Sequence, residues 1–134
     1  MTTHQNSKAL HIGLWISQGL LAAAFGMAGF MKVSAPMDQL LANGMTFVSS
    51  YDSSTVRLIG VAELLAALGL ILPAALRIMP ILTPLAAAGL SVIMVLAAQY
   101  HMSHDEPIAA TIVFFALTGL VAWGRYKKAP IKAK

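Results

Sequence analysis

The sequence predicts an all-α polytopic membrane protein: an antiparallel bundle of four transmembrane helices with a short amphipathic helix in the first outer loop. Three observations predict it. Of 134 residues, 58% are hydrophobic and only 10% charged, whereas a soluble globule carries about 25% charge. Four apolar stretches are each long enough to cross the hydrocarbon core as a helix. The basic residues flank those stretches or lie in the tail, where topology signals sit, so the net charge of +4 does not point to nucleic acid. The absence of cysteine excludes disulfides, CxxC redox chemistry, thiolate nucleophiles and thiolate metal sites.

The chain reads as one membrane domain over residues 1–126 and a basic cytoplasmic tail over 127–134. Met1 to Ala9 is a short polar lead in which Lys8 is the only full charge. The first span covers about 10–31. It is longer than the roughly 7–15 apolar residues of a signal peptide, and three more spans follow. Ala22 and Gly26 form a small-xxx-small pair that permits close helix approach. At 100° per residue, Gln18, Ala22, Phe25, Gly29 and Lys32 share an inward stripe. That small-residue face packs either inside the bundle or between protomers of a homo-oligomer.

Residues 33–55 form the longest connection. Within it, Ala35 to Gly44 reads as the amphipathic helix, lying along the membrane surface or capping the bundle, with Pro36 near its start and Gly44 just past its end. Asp52 is placed to cap the second span, about 56–76. Pro73 falls in that span's last turn and predicts a kink. Arg77 is the only charge before the third span, about 78–100, so these two spans form an antiparallel hairpin. Pro80 suits a helix start, and Pro84 predicts a kink one turn in. Ala86 to Gly89 offers a second close-packing patch. His101 to Glu106 is a polar connection, and Pro107 opens the fourth span, about 107–124. There Thr111 and Thr118, seven apart, share a face suited to bonds with a neighbouring helix. The remaining tail reads as disordered.

Four spans put both termini and the Arg77 hairpin on one side. That side carries Lys8, Arg77, Arg125, Lys127, Lys128, Lys132 and Lys134, against Lys32 and Arg57 on the other. The imbalance predicts cytoplasmic termini.

The second span, Val56 to Leu76, holds one carboxylate, Glu63. A charge at that depth costs roughly 2.5 kcal/mol or more on insertion scales, so it faces protein or a wet cavity. Helix directions put Lys32, Glu63, Gln99 and His101 in the outer half of the bundle. Gly60 and Ala67 leave room beside the carboxylate. The candidate ligand-binding residues are therefore Glu63, Lys32, His101, Gln99 and Gln18. Plainer readings stand beside this one. Lys32 can snorkel to headgroups, or pair with Glu63 only to fix packing. Arg57, about 120° from Glu63, reads as an interfacial anchor. Gln18 and Gln99 can bond across helices, and His101 and His104 can be ordinary loop residues. His101, His104, Asp105 and Glu106 include metal-ligand types, but the set is short and local, so no metal site and no catalytic set is assigned.

The chain resembles the DoxX-like family of small four-helix membrane proteins. The resemblance rests on Gly29-Phe30-Met31-Lys32 closing the first span, on Gly60-Val61-Ala62-Glu63-Leu64-Leu65 followed by Gly69-Leu70-Ile71-Leu72-Pro73, and on an Ala-rich third span ending near His101. It covers about Gly13 to Tyr126, with the basic tail outside the pattern. It implies a multi-pass four-helix fold in a bacterial inner membrane and links to membrane redox complexes, including a thiosulfate:quinone oxidoreductase subunit; distant eukaryotic relatives of the family act as assembly factors for receptors. Lys32, Glu63 and His101 carry over as family-like polar positions. The expected function is a non-catalytic component that binds a quinone- or lipid-like ligand, or a membrane or redox protein partner, at the outer polar pocket. The alternative is a quinone-linked oxidoreductase subunit in which Glu63 or His101 handles protons. A proton-coupled transporter is disfavoured because small multidrug transporters carry their glutamate in the first span, where this chain has Gln18.

Overall fold

A seven-residue rhythm of buried side chains holds the molecule together. Gln18, Phe25 and Lys32 are buried on the first helix, and Val56, Glu63 and Leu70 on the second long one. Gly60, Ala67 and Ala74 repeat alongside them. Ala87 and Met94 do the same on the third, and Thr111 and Thr118 on the fourth. A 3.5-residue repeat is the pattern of left-handed bundles, in which ridges of one helix fill grooves of the next at small crossing angles. The remaining faces are large and apolar yet exposed, including Leu20, Met27, Leu65, Val92 and Ile112, as lipid-facing surfaces are.

A computed structural model of the chain describes the backbone of residues 3–134 and the side chains of residues 8–134. Its helices are α1 (Thr3–Ser34), α2 (Met37–Ala42), α3 (Ser53–Leu76), α4 (Leu82–Ser103) and α5 (Ala109–Trp123), with a 3-10 turn at Thr46–Ser49 and a wide π-type turn at Gly124–Lys128. No strand occurs among the described residues. Four segments, Lys8–Ser34, Ser53–Leu76, Leu82–Ser103 and Ala109–Lys128, are long and apolar enough to cross a membrane. The long helices close a ring: α1 packs on α3, α3 on α4, α4 on α5, and α5 back on α1. Residues 1 and 2 of the polar lead lie outside the described residues.

The boundaries shift from the sequence reading for local reasons. The third span begins at Leu82 rather than near residue 78, because Arg77 (φ 58°) and Met79 (φ 47°) turn the chain through left-handed conformations. Pro84 therefore falls in the first turn of α4, where its missing N–H is one of the orphan groups and breaks no bond. Pro73 stays inside α3. It cannot donate to the Gly69 carbonyl one turn back, and the Thr83 hydroxyl of α4 donates there instead at 2.9 Å. The hairpin thus satisfies its own broken backbone bond. The tail has defined contacts. Arg77 Nε donates to Lys132 O at 2.8 Å, and Lys134 N donates to Arg77 O at 3.0 Å.

Small residues set the closest approach. The Gly26 and Gly29 face of α1 packs inside the bundle. A Cβ built on Gly26 would lie 3.7 Å from Ala67 Cβ, and one on Gly29 would lie 2.7 Å from the Gly60 carbonyl oxygen. On α4, Ala86 meets Gly69 and Ala87 is buried, while Gly89 faces open space.

Candidate functional site

Glu63 sits on the buried stripe of α3, and α1 delivers Lys32 to it from the opposite direction. Lys32 Nζ donates to Glu63 Oε1 at 2.6 Å, with Glu63 2% and Lys32 9% exposed. The contact is possible because α1 and α3 cross with Gly29 against Gly60 one turn away. Arg57 fixes the end of α1. Its Nη1 donates to Lys32 O at 2.8 Å and Ala35 O at 2.6 Å. Arg57 is therefore the cap on the last carbonyls of α1, in place of the headgroup anchor expected for it. The second carboxylate oxygen, Glu63 Oε2, is buried and has no hydrogen-bond partner among the described residues. The Lys32 ammonium lies 5.4 Å from the Phe47 ring centroid, a cation–π distance.

Phe47 belongs to the 3-10 turn, which together with α2 covers this end of the bundle. Leu40, Val48 and Val56 form a small separate core beneath that cover. Aromatic rings tie it to α4: Phe47 and Tyr51 both contact Tyr100, and Tyr100 stacks on His104 at 4.0 Å between centroids. Polar bonds latch it to the α4–α5 turn. Thr46 Oγ1 donates to Glu106 Oε2 at 2.7 Å, His101 Nδ1 meets Glu106 Oε1 at 2.7 Å, and Ser50 Oγ lies 3.1 Å from the Tyr100 hydroxyl.

Two carboxylates of this cover are held below their usual range. The Thr46 hydroxyl, then His101, stabilises ionised Glu106, and the Thr55 hydroxyl and amide do the same for Asp52 at the start of α3. A depressed carboxylate contributes stability that is present above its unfolded value and lost as pH falls through its folded one. Thermal stability in detergent is therefore expected to drop on acidification below about pH 4. Glu106→Gln should remove part of that drop, and an unchanged pH profile in this variant would count against the latch.

The other candidate residues do not join Lys32 and Glu63. Gln99 is exposed; it lies five residues past Met94 and so off the buried face of α4. His101, seven past Met94, keeps that face but engages Glu106. Gln18 lies at the opposite end, about 21 Å down α1 from Lys32. Its Nε2 donates to Leu70 O at 2.6 Å, and its Oε1 accepts from Arg125 Nε at 2.6 Å. Arg125 is 2% exposed, although the sequence reading treats it as a topology charge. Its Nη1 donates to His11 Nδ1 at 2.9 Å and to Ala129 O at 2.9 Å. The signal was present in the spacing: Thr111, Thr118 and Arg125 repeat at seven, as do His11, Gln18, Phe25 and Lys32.

The chain matches the DoxX-like family over residues 16–124, a stretch that includes Lys32, Glu63 and His101, and it belongs to that family. No curated protein and no solved structure matches it. With its four spans, the chain is a multi-pass membrane protein.

Proposed function

We propose that this DoxX-like protein is a non-catalytic component of a bacterial inner membrane that holds a quinone- or lipid-like ligand at Lys32 and Glu63, with its termini in the cytoplasm. Seven basic residues at the termini end against two at the other support the orientation. One observation carries the ligand reading: Glu63 Oε2 is buried with no donor among the described residues. An unsatisfied buried acceptor costs about 1–3 kcal/mol, more when charged, so the site calls for a donor from outside. A quinol or lipid hydroxyl supplies one. The Lys32 ammonium has three donors, of which Glu63 Oε1 takes one, so a carbonyl on the same ligand can be held too. The apolar surround suits a prenyl or acyl chain.

The test is native mass spectrometry of protein extracted gently from its host membrane, with released small molecules identified. A stoichiometric quinone or prenyl lipid is expected in the wild type, reduced at least tenfold in Glu63→Gln. A bare wild-type protein that co-purifies with another membrane protein would sink the ligand reading and favour an accessory role. A second reading uses the same unpartnered oxygen as a proton acceptor from quinol, in a subunit whose partner takes the electrons. It requires that a purified complex change quinone redox state and that Glu63→Gln slow that change.

A further inference from the structure

The opposite end of the bundle carries a second polar site, and its charge is one-sided. A cavity of about 350 Å³ opens between α1, the α3–α4 turn and the tail, lined by His11, Trp15, Ala74, Arg77, Ile131 and Lys132. All five side-chain carboxylates of the protein, Asp38, Asp52, Glu63, Asp105 and Glu106, belong to the other half of the bundle or its loops. Arg125 lies behind the cavity wall, its guanidinium 5.4 Å from the Trp15 ring. Every hydrogen-bond partner it has among the described residues is neutral: Gln18, His11 and the Ala129 carbonyl. A buried cation without a carboxylate is unusual. A guanidinium only donates, so His11 Nδ1 accepts from Arg125 and the ring proton sits on Nε2. His11 therefore adds a donor to a site that has no side-chain carboxylate.

Arg77 sharpens the point. It occupies a left-handed cap position (φ 58°) that favours glycine. Its Nε donates to Lys132 O, which leaves its two terminal amino groups without a partner among the described residues. The tail residues Pro130 and Ile131 complete an apolar floor beside these charges.

We propose that this cavity binds a phosphate group, the headgroup of an anionic phospholipid whose chains run down the outer face of α1 and α3. The arrangement has the features such a site needs: guanidinium and ammonium donors for the phosphodiester, a tryptophan at the interface, and apolar walls below. A free phosphate shares the chemistry but makes no use of the apolar walls. The site is independent of any ligand at Glu63.

The test uses the full chain in nanodiscs of phosphatidylcholine with a minor fraction of phosphatidylglycerol, and native mass spectrometry reads the retained lipid. Preferential retention of phosphatidylglycerol is expected. Arg77→Gly removes the guanidinium while suiting the left-handed backbone, and Lys132→Gln removes a charge without touching a helix. Each should weaken retention about fivefold. Lys127→Gln removes the same charge from the same end outside the cavity and should change little. If it weakens retention as much as the cavity variants, or if phosphatidylcholine is retained equally, the site is overturned. Displacement of the lipid by millimolar inorganic phosphate would assign the same cavity to free phosphate; lack of displacement assigns it to the lipid.

Discussion

Replacing Lys32 with Met is expected to destabilise the protein by about 3–5 kcal/mol, the cost of stranding one member of a buried ion pair. Glu63 is 2% exposed and one of its oxygens already lacks a partner, so losing Lys32 leaves the whole carboxylate bare. Glu63→Gln should cost less. The amide still accepts from Lys32, and the lysine stands at the end of α1, where its ammonium can reach toward the headgroups. The double variant Lys32→Met/Glu63→Leu removes both charges and should recover most of the loss, since buried pairs replaced by apolar groups are often neutral in stability. Unfolding midpoints in mixed detergent read all three. A double variant no more stable than Lys32→Met alone would mean the pair itself holds the helices together. The expected recovery separates two roles: if the apolar double variant is stable yet retains no ligand, the charges serve binding rather than packing.

Helix direction and residue spacing put Lys32 and Glu63 in the same half of the bundle, and they meet at 2.6 Å. Hydropathy found four spans, and Asp52 caps α3 as its position suggested, accepting from Thr55 N at 3.2 Å. Depth alone misled for Gln99, which has the right height but the wrong face, and face alone misled for Gln18, which has the right face but the wrong height. Both coordinates were needed, and the seven-residue spacing supplies the second. Arg125 escaped notice because a basic residue just past an apolar span has a ready explanation as a topology signal. It is buried in a π-type turn that hydropathy does not report, next to Gly124, where a Cβ would come within 2.7 Å of Leu14. Of the two places open to the amphipathic segment, the membrane surface and the end of the bundle, it takes the second; the Thr46–Glu106 bond that latches it there, across sixty residues, is one that no local pattern encodes.

The second large effect belongs to the glycine crossing. Gly29→Ala is expected to cost about 2–3 kcal/mol, at the upper part of the overpacking range. Its Cβ would sit 2.7 Å from the Gly60 carbonyl oxygen and 2.9 Å from the Leu64 nitrogen, and neither backbone atom can rotate away. Gly60→Ala meets the Gly29 carbonyl oxygen at 2.9 Å and Lys32 Cβ at 2.7 Å. In both variants α1 and α3 must move apart, and the ion pair one turn along the same interface must stretch with them. Gly26→Ala provides the control on the same helix. Its new methyl finds only Ala67 Cβ, at 3.7 Å, an ordinary contact, and alanine is a better helix former by about 0.5–1 kcal/mol. That variant should be neutral or slightly stabilising. Unfolding midpoints for the three alanine variants give the comparison, and equal effects at Gly26 and Gly29 would refute the crossing as the device that brings Lys32 to Glu63. Any ligand held by the pair should be lost from Gly29→Ala and kept by Gly26→Ala, because only the former displaces the groups that bind it.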